Sequence, residues 1–180
     1  ITATVSVPVS VDFEGCYAAE PAGVTANVRR LIQAGGIGIN FEDRVVQGEG
    51  LYPVEAQVER VKAARAAAET EGVPLFINAR TDVFLQSKPD QHESLVDEAI
   101  ARGKAYAQAG GDGFFIPGLT DVALIAKIVE AVDLPVNAMM RGTLTDLSAI
   151  AKAGVGRASY GPGAFITAME DLAGRYKALG

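Results

Sequence analysis

Six short β-rich stretches alternate with six longer helical patterns along the chain, and no low-complexity linker interrupts them. The strand candidates are 7–13, 37–42, 74–79, 113–117, 135–140 and 155–160; helices are expected after them at 23–34, 54–70, 93–109, 121–132, 145–153 and 164–178. Regular βα alternation implies parallel strands, because each helix returns the chain to the starting edge of the sheet. The strands read mostly as continuous apolar runs, which predicts a sheet covered on both faces. Helix periodicity is clear: Val54, Val58, Val61 and Ala68 share one face, as do Val24, Val28, Leu31 and Ile32. Asp121, and either Thr145 or Asp146, stand where N-caps are required.

Glycine placement separates two parallel architectures. QAGGIGINFED at 33–43 echoes QAGGDGFFIPG at 108–118, and in both the glycines precede the strand. They read as helix stops, whereas a dinucleotide fingerprint would follow the strand. The expectation is therefore a TIM-type (β/α)8 barrel, with its chemistry at the carboxyl ends of the strands. Such barrels have eight units in about 250 residues. This chain is expected to carry about six, the third to the eighth, as one domain over 1–180. It begins without Met and almost directly in a strand, so Ile1 is read as an unnatural beginning.

Three of the strands end in charge: VSVDFEG at 9–15, INFEDR at 39–44 and INARTD at 77–82. Side chains two apart on a strand share a face, so Asp12 with Glu14, Asn40 with Glu42, and Asn78 with Arg80 should converge at one end of the sheet. Asp43 and Asp82 are expected to face away, in orienting or charge-pairing roles. Ionised groups gathered on a sheet are costly unless paired or metal-bound, and the cluster therefore points to a site.

The acidic balance, net charge −6, argues against nucleic acid or an anionic membrane as partner. The single cysteine, Cys16, excludes an internal disulfide and reads as an ordinary thiol of a reducing, cytoplasmic protein. The only histidine, His92, lies in the polar segment SKPDQHES and reads as a solvated loop residue, and Gly161-Pro162-Gly163 reads as a turn.

In order, VDFEG, FED and NARTD resemble motifs of the isocitrate lyase / phosphoenolpyruvate mutase superfamily. The resemblance runs from about Val7 to Tyr176 and includes EAIARGKAYAQAGGDGFF at 98–115 and SYGPGAFITAMEDLAGRY at 159–176. It implies a (β/α)8 barrel that binds Mg2+, with Mn2+ as an alternative, and a small oxo or hydroxy acid. The implied chemistry makes or breaks a C–C or P–C bond beside an enolpyruvate. By position, Asp12, Glu14 and Glu42 match the metal-shell acids, with Glu14 standing where the family often has Asp. Arg80 matches the catalytic arginine that grips the substrate's carboxylate or phosphonate. Asn78 and Asn137 complete the expected substrate-binding set. The resemblance also implies a homo-oligomer, a tetramer in the family, whose swapped C-terminal helix would lie beyond Gly180.

Departures narrow the reading. The segment 44–55, RVVQGEGLYPVE, lacks the cysteine and histidine that isocitrate-type lyases carry there. Pro117 and Gly118 stand where phosphonate enzymes carry His and Ser, and the glutamate of methylisocitrate-type lyases is absent too. A Ser-Ser-Gly-like loop that holds the pyruvoyl carboxylate would fall before Ile1. The expected activity is a Mg2+-dependent C–C lyase or decarboxylase on a small 2-oxo or 2-hydroxy dicarboxylate. P–C chemistry, or an oxo-acid-binding barrel without catalysis, is the alternative.

Overall fold

The computed structural model describes residues 1–179. Six strands form one sheet in the order β1-β2-β3-β4-β5-β6, each parallel to the next. They are β1 Ser10–Asp12, β2 Gly38–Glu42, β3 Phe76–Arg80, β4 Gly113–Phe115, β5 Val136–Met139 and β6 Arg157–Ser159. The helices between and after them are α1 Pro21–Gln33, α2 Val54–Thr70, α3 Val96–Gln108, α4 Val122–Ala131, α5 Leu147–Lys152 and α6 Gly163–Lys177. The sheet curls into an open half-barrel, with β1 and β6 as its edges. No described helix is long and apolar enough to cross a membrane.

The units follow the local signals in the sequence. Asp121 caps α4 by accepting from the Ala123 and Leu124 amides, and Asp146 rather than Thr145 caps α5. Gly35 and Gly110 close their helices at φ +88° and +101°, a conformation open to glycine at little cost, so the echoed segments stop their helices in the same way.

The strands are not covered alike on both faces. On β2 and β3 the odd positions Ile39, Phe41, Ile77 and Ala79 are fully buried, as are Val28 of α1 and Val61 and Ala64 of α2. Farther along the sheet, Phe114 and Ala138 belong to a second cluster with Tyr106, Ile125 and Ile128. The opposite, inner face is polar: Ser10, Asp12, Asn40, Glu42, Asn78, Arg80, Asn137, Arg157 and Ser159 alternate with those core residues. The expectation of apolar strands on both sides is thus corrected. One face packs on helices while the other lines the interior of the curl.

A hydrogen-bonded row crosses that interior. Asn78 Nδ2 donates to Asn40 Oδ1 at 2.8 Å and to Asn137 Oδ1 at 3.2 Å, and Asn137 Nδ2 donates to Ser159 Oγ at 3.3 Å. The row passes over β4 at Gly113, where a Cβ would stand 2.8 Å from Asn78 Oδ1. Glycine at that point is what allows β3 and β5 to be bridged.

A second polar network is buried on the helical side. Asp43 is fully buried, accepting the Tyr106 hydroxyl at 2.8 Å, Arg102 Nη1 at 3.1 Å and the Asp82 amide at 3.0 Å. Burial pushes its carboxyl up, against the pull of these donors and the Arg102 charge. His92 also differs from expectation. It is buried in a 3-10 turn, Pro89–Leu95, with Nε2 3.1 Å from the Phe84 carbonyl and its ring edge-on to Phe84, because that turn folds back over the segment after β3.

Removing one member of a buried ion pair strands its partner's charge. Asp43→Ala is therefore expected to lower the unfolding free energy by roughly 3–5 kcal/mol, read from urea denaturation. A loss below about 1 kcal/mol would show that Glu98, which Arg102 also meets at 2.9 Å, compensates its charge alone.

Candidate active site

Arg80 closes β3 directly opposite Glu42 in the β2–β3 register. Its Nε and Nη2 reach both oxygens of Asp82 at 2.6 and 3.1 Å. Nη1 lies 3.0 Å from Glu42 and 3.8 Å from Asp12, and the guanidinium stands 5.8 Å from the centre of the Phe115 ring. Three carboxylates therefore surround one cation. The predicted shared face of Asp12, Glu42 and Arg80 is present. Asp82, expected to face away, turns towards Arg80. It lies two residues beyond Arg80, on the same side, and the Asp43 carboxylate holds its amide so that the chain bends back over the guanidinium.

Glu14 is placed differently from a strand residue. β1 ends at Asp12, and Glu14, Cys16 and Tyr17 take left-handed φ values of 48°, 57° and 51°. For residues bearing a Cβ this costs roughly 1 kcal/mol or more apiece. The Glu14 carbonyl accepts the Glu42 amide at 3.0 Å, and its carboxylate accepts the Tyr17 hydroxyl at 3.1 Å.

Two cavities consequently share the acidic end. One, about 540 Å³, is lined by Glu14, Tyr17, Glu42 and Arg44, with the loop 45–48. The other, about 490 Å³, lies over the interior row and is lined by Asp12, Asn40, Arg80, Arg141, Arg157 and Ser159, among others. Glu42 and Arg80 stand between the two. Asn78 and Asn137, expected at the substrate, are 1% exposed, and their amides are engaged with each other beneath the second cavity. Asn40 is the amide that lines it.

Arg141 and Arg157 escaped the sequence reading. Neither makes an ion pair among the described residues, so they are the uncommitted cations of the cavity. Arg157 had a signal, since it and Ser159 flank Ala158 on one strand face. Arg141 sits on the loop after β5, where spacing carries no orientation.

Burial pushes the Glu42 carboxyl up to about 7, against the pull of Arg80 and with the help of Asp82, Asp12 and Glu14. Among the described residues, no group of three or more His, Cys, Asp or Glu side chains is placed to hold a metal ion by itself. One or two carboxylates with several retained waters is the habit of Mg2+, and Glu42 with either Asp12 or Glu14 beside it could supply that donor set. Cys16 does not contribute: it is fully buried, and burial drives its thiol far up despite nearby Arg60.

A family model described as phosphoenolpyruvate phosphomutase matches residues 1–179. The chain belongs to the isocitrate lyase / phosphoenolpyruvate mutase superfamily. Within it, 2-methylisocitrate lyase of Escherichia coli K12 is 34% identical over 143 residues, covering 77% of this chain and 46% of that protein. The chain spans about half the length of the curated relatives it matches. A crystal structure from Burkholderia cenocepacia J2315, provisionally named a phosphonomutase, superposes with a TM-score of 0.93 at 42% identity, covering 98% of this chain and 71% of that one. Phosphonopyruvate hydrolase, solved with oxalate and Mg2+, shares the fold at a TM-score of 0.80 and 23% identity, covering 99% of this chain and 62% of its own.

The raised Glu42 carboxyl has a thermodynamic consequence. The folded protein holds this proton more tightly than the unfolded chain, so the associated stability is present below about pH 4.5 and is lost as pH rises through about 7. In metal-free buffer the urea midpoint of wild type should fall across that window, and Glu42→Gln should flatten the fall. Equal slopes in the two proteins would contradict this assignment.

Proposed function

We propose that this protein is a Mg2+-dependent lyase that cleaves a C–C bond in, or decarboxylates, a small 2-oxo or 2-hydroxy dicarboxylate through an enolpyruvate-type intermediate. The observation that carries the reading is the acid-rich sheet end around Arg80, opening on a cavity with two uncommitted arginines. Asp12 and Glu42 would hold the ion, with Glu14 reaching it directly or through water. The bound ion would supply electrostatic stabilisation for the negative charge that develops on the oxo-acid oxygen.

The chain's own residues account for the remaining roles. With Asp12 and Glu42 turned to a cation, Nη1 of Arg80 becomes the charged donor available to the substrate carboxylate. Asp82 keeps the other edge of that guanidinium fixed, so the fork is pre-aimed when the substrate arrives. Arg141 and Arg157 line the same cavity and suit a second carboxylate, which favours a dicarboxylate. The Asn40–Asn78–Asn137 row holds the cavity floor by hydrogen bonds rather than by apolar packing.

P–C chemistry on a phosphonopyruvate-like compound is the second reading, favoured by the 42% identical relative provisionally named a phosphonomutase. Pro117 and Gly118 at the end of the fourth unit speak against it, because neither side chain can donate or take a proton.

Asp12→Ala and Glu42→Ala should each weaken Mg2+ binding more than tenfold by calorimetric titration; unchanged affinity in both would remove the metal site. Arg80→Lys keeps the charge but not the planar fork, and loss of a charged hydrogen bond of about 1.5–3 kcal/mol predicts a roughly ten- to hundredfold lower kcat/KM. Turnover of 2-oxo and 2-hydroxy dicarboxylates with Mg2+ supports the lyase. Turnover of phosphonopyruvate alone selects the second reading, and saturable binding without turnover selects a binding protein.

A further inference from the structure

Arg60, in the second turn of α2, is a buried cation with no carboxylate partner among the described residues. Nη2 donates to the Gly15 carbonyl at 2.6 Å and the Ala18 carbonyl at 3.0 Å, and Nη1 donates to Gln57 Oε1. The guanidinium lies 4.1 Å from the centre of the Tyr52 ring and 5.0 Å from that of Phe41. Nε has no hydrogen-bond partner. A buried guanidinium held by neutral acceptors and ring faces, with no carboxylate and one N–H unpartnered, is costly to keep.

Its contacts supply a reason to keep it. The two carbonyls it holds bracket Cys16 and Tyr17, in the turn that starts at Glu14 directly before Gly15, and three residues of that turn have left-handed backbones. Gly15 is wedged between this guanidinium and the loop after β2: a Cβ there would meet Val46 Cγ2 at 2.5 Å and Arg60 Nη2 at 3.3 Å. Asn27 takes the carbonyl between, Cys16 O, at 2.9 Å. With these carbonyls turned inward, the Glu14 and Tyr17 side chains are left on the outer side, in the cavity shared with Glu42. Tyr52, the nearer ring, belongs to the loop after β2 and accepts the Val46 amide at 3.3 Å. Arg60 thus ties together the two loops that flank the acidic cavity while touching neither acid.

We propose that Arg60 is a positioning residue of the acidic site, fixing the left-handed turn that presents Glu14 beside Glu42. The inference rests on the metal-site reading above and deepens it: Glu14 takes part in cation binding only while this guanidinium holds its turn. Lysine cannot reproduce the role, since one ammonium lacks the flat face that fits against Tyr52 and the spread of donors that reaches both carbonyls and Gln57.

The test is a double-mutant cycle read as Mn2+ affinity by electron paramagnetic resonance, with Mg2+ competition as a check. Arg60→Lys should weaken Mn2+ binding about tenfold in the wild-type background and less than twofold in the Glu14→Gln background, because Glu14 is the group through which it acts. Ile128→Val, a core change in the other cluster, should leave affinity unaltered and controls for general loss of stability. Equal weakening in both backgrounds, or none in either, overturns the proposal. If Arg60→Lys does not fold, Tyr52→Leu, which removes one stacking face and leaves the carbonyl contacts, should weaken binding at least threefold with the same dependence on Glu14; no such dependence overturns it equally. A wild-type protein that binds neither cation fails the metal-site reading itself, whereas wild-type binding that is insensitive to Arg60 fails only this inference.

Discussion

The structure turns on one guanidinium shared by three carboxylates. Arg80 can stand at the mouth of the half-barrel only because Glu42 is its register partner on β2, Asp12 approaches from β1, and Asp82 folds back to grip its other edge. Buried or half-buried charge is stable only when paired and hydrogen-bonded. Asp82 in turn depends on Asp43, whose carboxylate holds the Asp82 amide from the helical side while accepting from Tyr106 and Arg102 on α3. The mouth of the sheet is therefore braced from both faces. An electropositive fork is held ready among three carboxylates, and burial of Glu42 raises its carboxyl despite that cation.

Geometry also divides labour among the acids. The Glu42–Arg80 pair separates Asp12, which faces the arginine-lined cavity, from Glu14, which faces the neighbouring one. A preformed nest of three carboxylates would favour a cation needing many protein ligands. A looser set that leaves room for water favours one that keeps its hydration shell. Beneath it, the asparagine row does for the interior what methyl packing does for the helical side, and it depends on a strand position without a side chain at Gly113.

Much of this was legible in the sequence because it follows from periodicity. The two-residue repeat placed Asp12, Glu42 and Arg80 on one face, the glycines before β2 and β4 marked helix ends, and Asp121 and Asp146 announced their caps. What escaped depends on contacts between distant segments. That the inner face is left without helices does not show in strands of three to five residues, whose apolar positions suggest cover on both sides. Arg60 and Arg102 sit on helices where charged residues normally face water, and only the packed structure shows them turned inward to Gly15 and Asp43. Glu14 fitted the strand rule on paper, yet the chain leaves the strand at Asp12 and carries it on a left-handed turn. The polar neighbours of His92 give no hint of the 3-10 turn that folds it over Phe84.

On the proposed reading, the carboxylates around Arg80 hold a divalent cation beside an oxo-acid site. Anomalous diffraction from crystals grown with Mn2+ and oxalate tests it directly. A manganese peak contacting Asp12 or Glu42, with waters completing its shell and oxalate within reach of Arg80, is the predicted result. Manganese found only elsewhere, with the Arg80–Glu42 pair undisturbed, would contradict it.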